Sequence, residues 1–80
     1  MVYNGISGVV KFTKPEGYGF IVPDTLIGAH DKDVFFHAAS LVDKNINWSE
    51  VRVGHRVRIN IVIPNGFGLQ ADGVELLEIS

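Results

Sequence analysis

Short segments in which apolar and polar residues alternate run through this chain, and no segment keeps a sustained helical period. The clearest lies at residues 56–63, where four residues alternate with four others: Val57, Ile59, Ile61 and Ile63 with Arg56, Arg58, Asn60 and Val62. Successive side chains of a strand point to opposite sides, so this two-residue period predicts a β-strand with one apolar face. Similar patterns predict strands at residues 7–13, 18–22, 33–37 and 69–77.

Turn residues separate these strands. Residues 14–17, Lys-Pro-Glu-Gly, predict a tight turn, and Asn65-Gly66 is a strong hairpin signal. Residues 25–32 predict a loop, and residues 38–41 predict one helical turn whose Leu41 closes a barrel end. Gly73 predicts a bulge, because Ala71 and Val74 both face inward only if the register slips there. Five short strands without a long helix must close into a small barrel to cover their edges.

The second and third strands place aromatic side chains on one face. If these strands pair, one face carries Tyr18, Phe20, Phe35 and His37, and the opposite face supplies Ile21, Val34 and Phe36 to the core. Aromatic residues favour strands in general, but here the opposite face already provides the core. An exposed cluster of this kind marks a binding site, and flat rings on a surface predict stacking of nucleic-acid bases.

Composition limits the protein class. The 80 residues predict one domain, residues 1–80, and 46% are hydrophobic. Without cysteine, neither disulfides nor thiolate metal sites form. No apolar run is long enough to span a bilayer, so we expect a soluble cytoplasmic protein with no membrane partner. The net charge of −2 argues against binding that depends mainly on phosphates, although Lys11, Lys14, His30 and Lys32 flank the aromatic segments.

Catalysis and metal binding are not predicted. The three histidines His30, His37 and His55 have no spacing that unites two of them on one helix face, and Asp31 and Asp33 lack the other ligands of a calcium loop. No serine lies in a nucleophile elbow, and Gly17-Tyr-Gly19 enters a strand rather than a helix. We therefore expect no enzyme activity, no cofactor, no metal and no small-molecule substrate.

Five segments together resemble the cold-shock domain family, in order and with similar spacing: Gly8-Val-Val-Lys-Phe12, Gly17-Tyr-Gly-Phe-Ile21, Asp33-Val-Phe-Phe-His37, Val53-Gly-His-Arg-Val57 and Gln70-Ala-Asp-Gly-Val74. The resemblance implies an all-β, five-stranded antiparallel OB-fold barrel that binds single-stranded RNA and DNA. It also implies a role as an RNA chaperone or as a regulator of transcription or translation. The family's binding positions fall on Lys11, Tyr18, Phe20, Phe35 and His37.

The chain departs from the family pattern around these positions. The segment between Lys11 and Gly17 is one residue shorter, and Phe12 stands alone where the family has a Trp-Phe pair. Strict alternation from Val10 turns Phe12 inward, whereas a local bend places it on the binding face, which we favour. Ala38 replaces a further aromatic, so one stacking position is missing. The large Phe36 replaces a smaller residue, so a neighbour in the core must shrink.

Two further residues have alternative interpretations. Lys14 lies near the aromatic face and is a candidate phosphate contact, although most lysines are simply solvated. Trp48, in a long loop, either contacts nucleic acid at the rim or caps the core, and the second reading is favoured. For the whole chain, the alternatives are a barrel that binds protein through the same aromatic face, and a structural subunit. The sequence leaves the oligomeric state open.

Overall fold

The computed structural model describes residues 3–24, 33–43, 45–65 and 68–77. These residues form five strands and two short 3₁₀ turns. The strands are β1 (Tyr3–Lys14), β2 (Tyr18–Pro23), β3 (Val34–His37), β4 (Arg56–Asn65) and β5 (Gly68–Leu76). The 3₁₀ turns, Ala38–Ser40 and Trp48–Glu50, lie between β3 and β4. The predicted strands are therefore all present, and β1 begins four residues earlier than expected.

The strands close into a barrel in the order β1, β2, β3, β5, β4 and back to β1. Four neighbouring pairs are antiparallel, and β3 pairs with β5 in parallel. The expectation of a purely antiparallel barrel is therefore wrong. Strand directions cannot alternate all the way around a closed ring with an odd number of members, so a five-stranded barrel must contain at least one parallel pair.

The core fills the barrel from the inward faces of the strands, as the alternation in β2 and β3 predicts. Ile21, Val34 and Phe36 are fully buried, and Val10 is nearly so. Gly19 is the small neighbour that makes room for Phe36. The two residues are cross-strand partners, and a Cβ atom at Gly19 would lie 3.0 Å from Cε1 of Phe36.

The alternation in β4 changes phase at Asn60. Val57, Ile59 and Val62 are buried, whereas Ile61 and Ile63 are 36% and 41% exposed. The expectation that Ile61 and Ile63 share the inward face is therefore wrong. In both neighbouring strands a glycine with positive φ lies between the residues that pair with Ile59 and Ile61: Gly5 in β1 and Gly73 in β5. We attribute the change of phase to these two glycines.

Gly73 also lies between Ala71 and Val74, which are both buried as predicted. However, the pairing of β5 with β4 does not slip at Gly73. Ile59 pairs with Val74 and Val62 pairs with Ala71, so both strands change phase together. The predicted register shift is therefore wrong, and the positive φ of Gly73, 83°, provides the change of direction instead.

The turn after β3 closes one part of the core. Leu41 follows the 3₁₀ turn, is 3% exposed and bridges to Val74. At the β4 to β5 connection, Asn65 pairs with Gly68, while Gly66 of the predicted hairpin turn lies outside the described residues. The predicted loop at 25–32, with His30 and Lys32, also lies outside them. In the described part of the chain, no helix has the length and apolarity needed to cross a membrane.

Candidate functional site

Antiparallel pairing of β2 with β3 brings the predicted aromatic residues together. Tyr18 pairs with His37, and Phe20 pairs with Phe35. Residues that lie directly opposite each other project from the same side of the sheet. The residues that alternate with them, Gly19 and Ile21, are buried, so these four side chains lie on the outward surface of the barrel.

Three ring contacts join the aromatic side chains into one surface. The ring centroids are 5.8 Å apart for Tyr18 and Phe35, 5.6 Å for Phe20 and Phe35, and 5.1 Å for Phe12 and Phe20. These separations are typical of interacting aromatic pairs. We call the surface formed by Phe12, Tyr18, Phe20, Phe35 and His37 the aromatic patch. The side chains of the three phenylalanines and of Tyr18 are half-buried, whereas His37 is exposed.

A bulge in β1 explains why Phe12 belongs to the patch. The register between β1 and β2 shifts between Val10 and Phe12, which places Phe12 opposite Phe20 while Val10 remains in the core. A bulge adds one residue to one strand and redirects the side chains that follow. The local bend predicted at this point is therefore present, and strict alternation does not apply to Phe12.

His37 is oriented by the turn that follows it. Its Nδ1 accepts a hydrogen bond from the backbone N–H of Ala39, at 3.1 Å. A neutral imidazole that accepts through Nδ1 carries its proton on Nε2. The exposed ring thus offers an N–H donor beside Tyr18, so this end of the patch combines a stacking surface with polar atoms.

The two lysines near the patch have different surroundings. Lys11 forms an ion pair with Asp33, with 2.9 Å between Nζ and Oδ2. Nζ of Lys14 lies 5.7 Å from the ring centroid of Phe12, which is within cation–π distance. Among the described residues, Lys14 has no acidic partner within ion-pair distance. Lys14 is therefore the more available positive charge at the edge of the patch.

Trp48 lies outside the patch and caps the core. Its ring centroid is 5.3 Å from that of the buried Phe36, and its Nε1 donates a hydrogen bond of 2.7 Å to the carbonyl oxygen of Lys14. The half-buried indole lines an open groove of about 460 Å³ together with Thr13, Lys14, Pro15, Ser49 and Val51. The structure thus matches the core-capping interpretation, and the groove borders the backbone of Lys14.

Two residues that shape the site are not identified by the sequence pattern. Asp33 immediately precedes β3 and holds Lys11, a pairing between residues 22 positions apart that no local pattern reveals. Gly19 is the other: its missing side chain leaves space for the carbonyl oxygen of Phe12 as well as for Phe36. In the described ranges, no group of three or more His, Asp or Glu side chains is placed to hold a metal ion.

Comparison with known proteins supports the fold. The sequence matches no family model and no curated protein. Among solved structures, the chain is similar to Drosophila Unr CSD456, a cold-shock domain structure, with a TM-score of 0.70 and 23% sequence identity. The similarity covers 94% of this chain but 27% of the Unr chain. The resemblance found in the sequence is therefore confirmed at the level of the fold.

Proposed function

We propose that the protein binds single-stranded nucleic acid by stacking unpaired bases on the aromatic patch. The observation that carries this proposal is the chain of three ring contacts from Phe12 through Phe20 and Phe35 to Tyr18, all on the outward side of the barrel. The cold-shock domain fold supports it, since the resemblance implies the same ligand class. Single-stranded RNA and DNA are both candidate ligands.

The magnitude of stacking is sufficient for this role. Each base stacked on an aromatic side chain contributes roughly 1 to 3 kcal/mol by alanine substitution. Four rings offer on the order of 4 to 12 kcal/mol before the cost of ordering the strand, which corresponds to micromolar to nanomolar affinity at the upper half of that range. Because every base has a π face, we expect mild sequence preference.

Binding of this kind keeps a strand unpaired. A protein that holds unpaired bases disfavours RNA secondary structure, which is the physical basis of an RNA chaperone. The same effect on a transcript alters transcription or translation. We propose these consequences on the resemblance to the cold-shock family, and we propose a binding role rather than catalysis.

The direct test is a titration with oligo-dT and oligo-U of Phe20→Ala, Phe35→Ala and wild type. Each substitution removes a central ring, so we expect affinity to fall by about tenfold or more while the barrel stays folded. The matched control is Ile61→Ala, which truncates an exposed apolar residue of β4 whose partners, Asn4 and Asp72, lie outside the patch.

Unchanged affinity in both phenylalanine variants would exclude stacking on the patch. Failure of the wild-type protein to bind either oligonucleotide would favour the alternative that the patch binds protein. A defined oligomer that buries these rings would instead indicate a structural subunit. An equal loss in Ile61→Ala would indicate a general effect on the barrel.

A further inference from the structure

The outward surface of the barrel continues beyond the aromatic patch along β2. Val22 lies two residues after Phe20 on the same face and is 43% exposed. Val9 of β1 pairs with Val22 on one side and with Arg56 of β4 on the other. A row of three outward residues, Val22, Val9 and Arg56, therefore extends from the patch across three neighbouring strands.

Arg56 lies within reach of a strand that leaves the patch at Phe20. A β-strand advances about 3.3 Å per residue and neighbouring strands lie about 4.8 Å apart, so the Cα atoms of Phe20 and Arg56 are separated by roughly 12 Å. The arginine side chain reaches across β1 to Asp24, the residue that follows β2, so its guanidinium lies beyond Val22 in the direction in which a strand would leave Phe20. The intervening valines offer an apolar surface on which a base or sugar can lie.

The guanidinium of Arg56 is paired with Asp24, the residue that immediately follows β2. Nη2 of Arg56 lies 2.7 Å from Oδ2 of Asp24, and the two side chains are 51% and 41% exposed. An exposed ion pair of this kind is weak and exchanges readily with other partners. Arginine also has five N–H donors, so one carboxylate oxygen leaves donors free for a phosphate.

We propose that Arg56 contacts a backbone phosphate of a nucleic-acid strand that continues past Phe20 over Val22 and Val9. Asp24 holds the guanidinium at the surface and competes with the phosphate for it. This inference rests on the proposed function and adds a second, electrostatic segment to the aromatic patch. It predicts that Arg56 matters only for strands long enough to reach it.

The test compares oligo-dT of about four and about eight nucleotides, both within the range of roughly 4 to 16 that one OB fold covers. For the longer strand, Arg56→Gln should weaken binding by about two- to fivefold, the range of an exposed charge contact. The slope of log K against log salt concentration should become shallower by about 0.7, the contribution of one phosphate contact on a single strand. Asp24→Asn should strengthen binding of the longer strand, and neither change should alter binding of the shorter one.

The matched control is Arg58→Gln, which makes the same change of charge two residues further along β4, where the cross-strand partners are Ser7 and Glu75. Unfolding midpoints of all three variants verify that the barrel is intact. Equal losses for both strand lengths, equal losses at Arg56 and Arg58, or weaker binding in Asp24→Asn would overturn the proposal. Normal binding of the shorter strand with no effect of Arg56→Gln on the longer one would overturn it while leaving the proposed function intact.

Discussion

At the scale of single residues, Gly19 determines how closely β2 packs against the backbone of β1 and against Phe36 in the core. A Cβ atom at this position would collide with the carbonyl oxygen of Phe12 and crowd Phe36. We expect Gly19→Ala to lower the free energy of unfolding by about 1 to 3 kcal/mol, the usual cost of overpacking. Urea denaturation measures this change.

Because the closest contact is with backbone, a smaller core residue should not rescue this variant. Phe36→Val removes the ring that lies 3.0 Å from the added atom but leaves the carbonyl oxygen of Phe12 in place. The double variant should therefore be no more stable than Gly19→Ala. If either variant keeps the wild-type free energy of unfolding, β1 and β2 can move apart at Gly19 without a loss of stability.

Substitution of Trp48 tests whether its indole stabilises the barrel or contacts the nucleic acid. Trp48→Phe keeps an aromatic ring against Phe36 but removes the hydrogen bond to the carbonyl oxygen of Lys14. We expect the free energy of unfolding to fall by about 0.5 to 1.5 kcal/mol, since a hydrogen bond is lost. Affinity for oligo-dT should stay at the wild-type value. A loss as large as that in Phe20→Ala would place the indole in the binding surface.

At the scale of the strands, β3 is the shortest of the five strands described. It is four residues long, and in the described part of the chain it pairs with β5 at Val34 and Phe35, whereas β4 and β5 pair along most of their length. We expect the amides of β3 to exchange with deuterium faster than those of β4. Phe35 belongs to the patch, so a bound oligonucleotide should slow exchange in β3 more than in β4.

Equal exchange rates in β3 and β4 would contradict the expected weakness of the parallel pair. If the titration shows binding but oligo-dT leaves the amide exchange rates of β3 unchanged, the ligand does not contact this strand.

The strand pattern also shows what sequence can predict here. The period of two in β2 and β3 was sufficient to separate Tyr18 and Phe20 from Ile21, because each strand keeps its phase. In β4 the phase changes at Asn60, beside the positive-φ glycines Gly5 and Gly73 of the neighbouring strands, so strict alternation places Ile61 and Ile63 on the wrong face. The parallel pair follows from the number of strands and not from any residue.

At the scale of the whole molecule, the sum of charges is a poor guide to the site. The net charge is −2, yet two lysines border the patch. Lys11 shares its charge with Asp33, and Lys14 lies over Phe12 without an acidic partner in the described residues. Stacking on neutral rings does not depend on ionic strength, whereas contacts with phosphate do.

Salt dependence therefore distinguishes stacking from phosphate binding as the main source of affinity. Each phosphate contact on a single strand contributes about −0.7 to the slope of log K against log salt concentration, so contacts by Lys11 and Lys14 give a slope of about −1.4. We expect a titration of wild-type protein with short oligo-dT at several salt concentrations to give this shallow slope. Lys14→Gln should reduce it by about half, because one of the two contacts is removed. A slope steeper than about −3.5, equivalent to five contacts, would show that phosphates rather than rings hold the strand.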